Sequence, residues 1–332
     1  MIICRTPFRI SFFGGGTDYP IWYKEHGGAV LSTSINRYCY VSTRYLPPFF
    51  KYNYRIVHSE VQCTKKIKEI EHPAVRATLE YMPPEKGVEI HRDSDLPARA
   101  GLGTSSSFTV GLLHTFYALK GSMVSKRQLA LDAIHIEQDI IKENVGSQDQ
   151  ICAAFGGMNK IEFGGDHEFL VQPMILSKEK FNKFQDHLML FFTGFSRQAS
   201  EIASEQIKKT PERHKELGQM HEMVDEAINI LNGSDSDLID FGKLLQKNWM
   251  IKRKLTKKIT TPHIDEIYNR GIKSGALGGK LLGAGGGGFI LFFVEPDKQP
   301  KVKKKLSDLL YVPFRFDSLG SQIVYYMGEF QY

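Results

Sequence analysis

The sequence predicts a protein of mixed helices and strands in two domains, and three observations carry that prediction. Its 332 residues exceed the roughly 100–200 residues of a single domain. The first half alternates strand-like and helix-like stretches, whereas two long amphipathic helices dominate the second. Polar residues gather at 173–178, between the two regimes, and set the expected division into domains 1–176 and 177–332.

Taken in order, residues 9–13 read as a strand running into the turn Gly14-Gly-Gly16. The β-branched and aromatic stretches 29–33 and 38–43 read as two neighbouring strands. Residues 108–119 are apolar nearly all round and predict a buried helix after the loop 101–107. Ser125-Lys-Arg-Gln128 spells a capping box that opens a second helix, with Leu129, Ala133, Ile136 and Ile140 as its buried stripe. Glu137 falls at the edge of that stripe. Gly156-Gly157 stops a short helix, and 158–163 with 168–171 read as a hairpin around Gly164-Gly-Asp166. Beyond the boundary, 188–193 and 289–294 read as strands and 301–310 as a short basic helix. The helices 212–231 and 237–255 between them carry apolar residues every three and four positions.

Composition excludes several classes. At 42% hydrophobic and 24% charged, the chain has an ordinary soluble, globular make-up. Its net charge of +6 is not gathered into a basic stripe with interleaved aromatics, so neither nucleic acid nor a membrane is an expected partner. The mild basicity suits an anionic small substrate. The longest wholly apolar run, Phe289-Ile-Leu-Phe-Phe-Val294, is far short of the roughly 18 residues of a spanning helix. Arg5 and Arg9 interrupt any signal-peptide pattern. Four cysteines spaced 35, 24 and 89 residues apart match neither a disulfide framework nor a zinc site. A reduced, cytoplasmic, zinc-free protein is expected.

Seven of the thirty glycines fall between 278 and 288, and further groups lie at 14–16 and at 101 and 103. Such clusters weaken a folded chain, so they mark positive φ or a ligand close to the backbone. In Gly101-Leu-Gly-Thr-Ser-Ser-Ser107 the glycines precede a helix whose first N–H groups suit a phosphate. The hydroxyls of Thr104, Ser105 and Ser106 add donors and candidate magnesium ligands, and a serine N-cap after a turn is the structural alternative. No Gly-Lys-Ser/Thr follows, which excludes a Walker A loop. Gly283-Ala-Gly-Gly-Gly-Gly288 spells Gly-x-Gly-x-x-Gly but precedes a strand instead of following one, so a dinucleotide reading fails. A backbone wall against a ligand and a flexible hairpin both remain. Asp149 sits just before a short helix, as an N-cap or a catalytic carboxylate. Arg9, inside an apolar strand, needs a carboxylate or phosphate partner, and with Asp18 it brackets the first glycine cluster.

Three stretches together resemble the three motifs of the GHMP kinases, in the expected order and across nearly the whole chain. They are Arg5-Thr-Pro-Phe-Arg-Ile-Ser-Phe-Phe-Gly-Gly-Gly-Thr-Asp-Tyr19, Pro97-Ala-Arg-Ala-Gly-Leu-Gly-Thr-Ser-Ser106 and Lys280-Leu-Leu-Gly-Ala-Gly-Gly-Gly-Gly-Phe289. The Gly-Gly-Gly-Thr-Asp-Tyr form and Thr193-Gly-Phe-Ser-Arg-Gln-Ala-Ser200 look most like D-glycero-D-manno-heptose 7-phosphate kinases, which phosphorylate the anomeric hydroxyl toward GDP-heptose. The resemblance implies a two-domain α+β fold. Its N-terminal domain would hold a left-handed βαβ crossover and its C-terminal domain would be ferredoxin-like, with nucleotide and sugar meeting between them. It implies ATP and Mg²⁺ as cofactors and a sugar phosphate as the small-molecule partner. Gly101, Leu102, Gly103, Thr104, Ser105, Ser106 and Ser107 would hold the ATP phosphates, and Ser105 with Glu137 the magnesium. Asp149 would be the catalytic carboxylate with Arg9 beside it. Gly15, Gly16, Thr17, Asp18, Arg197, Gly285 and Gly286 would face the sugar.

Two departures bear on the substrate. Members acting on free hexoses commonly read Gly-Glu-His before Thr-Asp-Tyr, where this chain has Gly14-Gly-Gly16, and loss of that carboxylate favours an anionic acceptor. Arg99 replaces a common glycine in the second motif, and Arg197 followed by Arg99 are the candidates for the substrate phosphate. The alternatives are another sugar kinase of this superfamily, acting on fucose or an unphosphorylated hexose, and a nucleotide-binding sensor without turnover.

Overall fold

The computed structural model describes residues 1–98, 100–165, 168–194, 199–233 and 238–327. Two sheets organise the described residues. The larger has nine strands: β1 (Ile2–Phe13), β2 (Gly28–Tyr45), β3 (Tyr54–Val57), β4 (Val61–Thr64), β5 (Val88–Ser94), β6 (Met158–Phe163), β7 (Phe169–Pro173), and two late ones, β12 (Phe316–Asp317) and β13 (Gln322–Tyr326). The smaller comprises β8 (Leu188–Gly194), β9 (Gly278–Leu281), β10 (Gly288–Phe293) and β11 (Leu310–Tyr311).

The stretches expected as two strands are one, β2. Its first half pairs with β6 and its second with β5, while β1 runs antiparallel along its length. The register slips where Pro7 faces Tyr38 and Phe8 faces Ile35, leaving Asn36 and Arg37 as a bulge. Pro7 has no N–H to give the ladder, which explains a bulge at that point and the turn-like polar sequence there. Asn36 N–H donates instead to Arg315 O at 2.8 Å.

The smaller sheet is antiparallel in the order β11-β8-β10-β9, with the helix Gln299–Lys305 between β10 and β11 and the long helices between β8 and β9. That order and connectivity are ferredoxin-like, as expected. After β11 the chain returns to the larger sheet, where β12 pairs with β2 and β13 with β1. The end of the chain thus ties the sheets together. A phenylalanine cluster does the same from inside: Phe12 of β1 meets Phe184 and Phe241 edge-on at 5.5 and 5.7 Å, and both of these contact Phe293 of β10.

The buried helix is Thr104–Leu119, packed against β1 and β2. The next, Lys126–Ile134, is capped by Ser125, whose hydroxyl accepts from Gln128 N–H. Gln128 turns its own side chain to Asp132 instead of closing the capping box. This helix widens into a π-turn, His135–Ile140. The wider turn shifts the helix phase, so Ile140, expected in the buried stripe, is 37% exposed, while Glu137 is only 1% exposed. No helix among the described residues is long and apolar enough to cross a membrane.

Candidate active site

A cavity of about 460 Å³ opens where the three glycine motifs meet. Motif one supplies the end of β1 and its turn. Gly14 has φ +79°, and a Cβ there would lie 1.9 Å from Ala29 O, so the turn admits no side chain at that position. Thr17 Oγ1 donates to Gly14 O and Ala29 O at 2.8 and 2.9 Å, which makes Thr17 a buried brace off the cavity wall. Gly15, Gly16 and Asp18 do line the cavity. Asp18 accepts from Gly16 N–H at 2.8 Å, and its backbone carbonyl accepts from Ser147 N–H at 2.9 Å. That second bond ties Asp18 to the turn that opens the helix Gln148–Phe155 and carries Asp149. Burial, followed by the nearby Asp149 charge among other effects, raises the Asp18 pKa above the usual carboxylate range.

Arg9 finds the partner its burial demands. Nε and Nη2 donate to Asp149 Oδ1 and Oδ2 at 2.7 and 2.9 Å, and Nη1 donates to Gly101 O at 2.8 Å. The guanidinium therefore joins the first motif, the second motif and Asp149. Its side chain is 5% exposed and that of Asp149 24%, so the carboxylate keeps one side toward the cavity. Burial opposes the Arg9 charge, and Asp149 more than offsets it, leaving the Arg9 pKa raised. Asp149 is not the N-cap of its helix: Ser147 holds that position.

The second motif turns at Gly101 and Gly103, both in the left-handed region at φ +81° and +72°. Ser107 N–H is the first to bond back, to Gly103 O at 2.9 Å, so the earlier amides of that turn stay outside the helix ladder. With the helix dipole they form an anion-binding tip on the cavity. Gly101, Gly103, Thr104, Ser105 and Ser106 line it. Leu102 is core, and Ser107 donates to Pro7 O at 2.9 Å, so both support the loop from behind.

Glu137 is bonded by Ser106, the neighbour of the Ser105 expected to share a magnesium ion with it. Ser106 Oγ and Thr109 Oγ1 each donate to it at 2.7 Å, and Gln150 Nε2 donates as well. Ser105 is exposed on the cavity. Burial pushes the Glu137 carboxyl up to about 7 against the pull of these donors. The pair fits a hard divalent ion in donor chemistry: hydroxyl and carboxylate oxygens beside a phosphate tip, with Gln150 Oε1 buried and without a partner next to them. Among the described residues there is no cluster of three or more His, Cys, Asp or Glu that could hold a metal ion.

The third motif packs backbone to backbone on the second. A Cβ on Gly283 would lie 2.4 Å from Gly101 Cα, and one on Gly288 would lie 2.4 Å from Ala100 O. Gly283 and Ala284 line the cavity; Gly285 and Gly286, expected there, do not, and Gly286 N–H instead donates to Ile259 O at 3.0 Å. Arg197 and Arg99 lie outside the described residues. Sequence reasoning missed two buried lysines on the cavity wall, Lys252 and Lys280, and the buried, unpartnered Ser11 Oγ and Gln148 Oε1. Lys280 opens the third glycine motif in the sequence.

Residues 65–157 match the GHMP kinases N terminal domain, and residues 220–312 match the GHMP kinases C terminal domain. The chain is 28% identical over 315 residues to the D-glycero-alpha-D-manno-heptose 7-phosphate kinase of Campylobacter jejuni, covering 91% of this chain and 92% of that one. It is 27% identical over 241 residues to the mevalonate kinase of Methanocaldococcus jannaschii, covering 70% and 71%. Among solved structures, a D-glycero-D-manno-heptose 1-phosphate kinase from Bacteriodes thetaiotaomicron superimposes with a TM-score of 0.77 at 23% identity, covering 98% of this chain and all of that one. A Streptococcus pneumoniae phosphomevalonate kinase with phosphomevalonate and AMPPNP gives the same score at 13% identity, covering 96% and 100%.

Proposed function

The chain belongs to the GHMP kinases, and we propose that it transfers the γ-phosphoryl group of ATP to the anomeric hydroxyl of D-glycero-D-manno-heptose 7-phosphate, giving the 1,7-bisphosphate. It is a sugar kinase, a phosphotransferase with an alcohol acceptor. The heptose phosphate reading is supported by the likeness to the Campylobacter enzyme over nine-tenths of both chains and by the acid-free turn Gly14-Gly-Gly16.

The observation that carries the chemistry is the bidentate Arg9–Asp149 pair facing the cavity beside the serine-bearing helix tip. A sugar hydroxyl is a weak nucleophile at neutral pH. Asp149 takes its proton as the oxygen bonds to the γ-phosphorus, the bond from phosphorus to the bridging oxygen breaks, and ADP leaves with that electron pair. Arg9 holds the carboxylate oriented for the task, and a base so positioned contributes about 10²–10⁴-fold. The amides and hydroxyls at 103–106 bind the phosphates and take up charge that grows on the departing oxygen. Asp18, tied through Ser147 to the turn before Asp149, binds acceptor hydroxyls. Ser105, Ser106 and Glu137 would hold Mg²⁺, which supplies positive charge to the phosphates when bound.

The test is a coupled ADP-release assay with ATP, Mg²⁺ and a panel of heptose 7-phosphate, unphosphorylated heptose, fucose and galactose. The proposal expects kcat/KM on heptose 7-phosphate at least about 100-fold above the others. Equal or better turnover of a free sugar would overturn the substrate assignment.

A further inference from the structure

Lys280, in β9, and Lys252, at the end of the helix Leu238–Lys252, line the cavity although both are buried. Each head is anchored through one carbonyl: Lys252 Nζ donates to Gly283 O at 2.6 Å and Lys280 Nζ to Phe12 O at 2.8 Å. The first carbonyl belongs to the third glycine motif where it touches Gly101, and the second is one residue from the end of the strand that leads into Gly14. The two heads therefore flank the junction of all three motifs. An ammonium has three donors, so two remain on each head for a ligand. Their anchors are neutral, a third cation, Arg9, lies close by with Asp149 as its partner, and Asp18 is near enough to offset the lysine charges only in part. Burial first, then Arg9, pulls Lys252 down to about 8; burial, then Lys252 and Arg9, pulls Lys280 well below its ordinary value. Burying cations together is unfavourable unless an anion joins them.

Resting on the kinase reading above, we propose that Lys252 and Lys280 bind the phosphoryl group in transit between nucleotide and acceptor, opposite the amides at 103–106. Position favours this group over the phosphate already on the sugar. Lys252 holds Gly283, which touches Gly101, whose carbonyl binds Arg9, which binds Asp149. That chain of contacts ends at the proton acceptor for the reacting hydroxyl. A 7-phosphate lies at the other end of the heptose. Phosphoryl transfer spreads charge over three equatorial oxygens, and the four remaining lysine N–H donors suit them. The lysines exchange no proton with the reacting oxygens; they gain protons from solvent when the nucleotide arrives.

Two measurements test this. In calorimetry of wild-type protein with AMPPNP and Mg²⁺ at about pH 8.5, in two buffers of different ionisation enthalpy, binding takes up about half a proton or more. The titratable groups around the pair are Arg9, Asp18, Asp149, Tyr19 and Glu143; Glu137 is already ionised at that pH. Binding without uptake overturns the proposal. In kinetics, Lys252→Met and Lys280→Met lower kcat about 100-fold, with KM for the sugar within about threefold, on phosphorylated and unphosphorylated acceptors alike. A kcat within about threefold of wild type, or a KM rise confined to the phosphorylated sugar, overturns it too. Calorimetry needs no sugar and no variant, so a failed substrate assignment or a misfolded variant leaves that arm decisive.

Discussion

Replacing Asp149 by Asn separates binding from chemistry. The carboxylate accepts two N–H bonds from a guanidinium that is 5% exposed, at 2.7 and 2.9 Å. Asn keeps one oxygen and turns an NH₂ group toward Arg9, so one charge-assisted bond, worth about 1.5–3 kcal/mol, is lost. The guanidinium also loses its countercharge, a change that costs about 3–5 kcal/mol in a fully buried pair. With Asp149 itself 24% exposed, water softens the loss, and we expect a stability decrease of about 2 kcal/mol by urea denaturation. Loss of the proton acceptor lowers kcat by about 10²–10³-fold, the lower part of the range for a general base because an anomeric hydroxyl is more acidic than an ordinary alcohol. At 1.36 kcal/mol per tenfold, that is about 3–4 kcal/mol of barrier. Affinity for AMPPNP, measured by calorimetry, stays within about threefold, since the phosphate donors at 103–106 are untouched. A kcat within tenfold of wild type, or nucleotide affinity falling in step with kcat, would refute the assignment of Asp149 as base.

Glu137 gives a pH signature. Its folded carboxyl holds a proton up to about pH 7 against an ordinary value of 4.5, so folding takes up a proton between those values and stability falls as pH rises through them. Urea denaturation in EDTA is therefore expected to show wild type losing about 3 kcal/mol relative to Glu137→Gln across that window, and a constant difference would contradict it. Ser106→Ala, which strips a donor from buried Glu137, destabilises by about 1–2 kcal/mol in thermal unfolding, whereas Ser105→Ala leaves stability unchanged and raises the Mg²⁺ requirement. Gly283→Ala places a Cβ 2.4 Å from Gly101 Cα at φ +74°; a loss of about 2–4 kcal/mol and a raised KM for ATP are expected, and normal nucleotide kinetics would show that the two loops do not brace each other. Arg197→Ala raises KM for the phosphorylated sugar alone; an unchanged KM removes Arg197 from the acceptor site.

What the sequence disclosed about the site follows from how few residue types can meet a given demand. Gly101 and Gly103 at positive φ have almost no substitutes, and a buried arginine must have an anion, so the loops and Arg9's need of a partner were legible, while Asp149 as that partner came only with the resemblance to the GHMP kinases. Ser105 and Ser106 are adjacent on a helix and point about 100° apart, and no count of serines fixes which one turns to Glu137 until the helix phase is known. The π-turn at His135–Ile140 shifts the phase of the other helix involved, the one that carries Glu137, burying Glu137 and exposing Ile140. The continuity of β2 was hidden because a bulge opposite Pro7 has the composition of a turn. Lys252 and Lys280 were passed over because lysine is by default a surface residue, and only the tertiary fold shows these two inside.

The third glycine motif explains why these scattered features work as one. Read along the chain, it offered a wall against a ligand or a loose hairpin; in space it is a wall whose other face is protein. Gly283 and Gly288 let that loop lie directly on Ala100 and Gly101, nearer than any side chain would permit. The contact fixes the Gly101 carbonyl that Arg9 uses, and Lys252 fixes Gly283 from behind. A shift of the smaller sheet relative to the larger one would therefore move the phosphate tip and the Arg9–Asp149 pair together, keeping donor and base in register. Glycine at these positions gives up backbone entropy to hold that registration, which a side chain of any size would open by more than the tolerance of an in-line transfer.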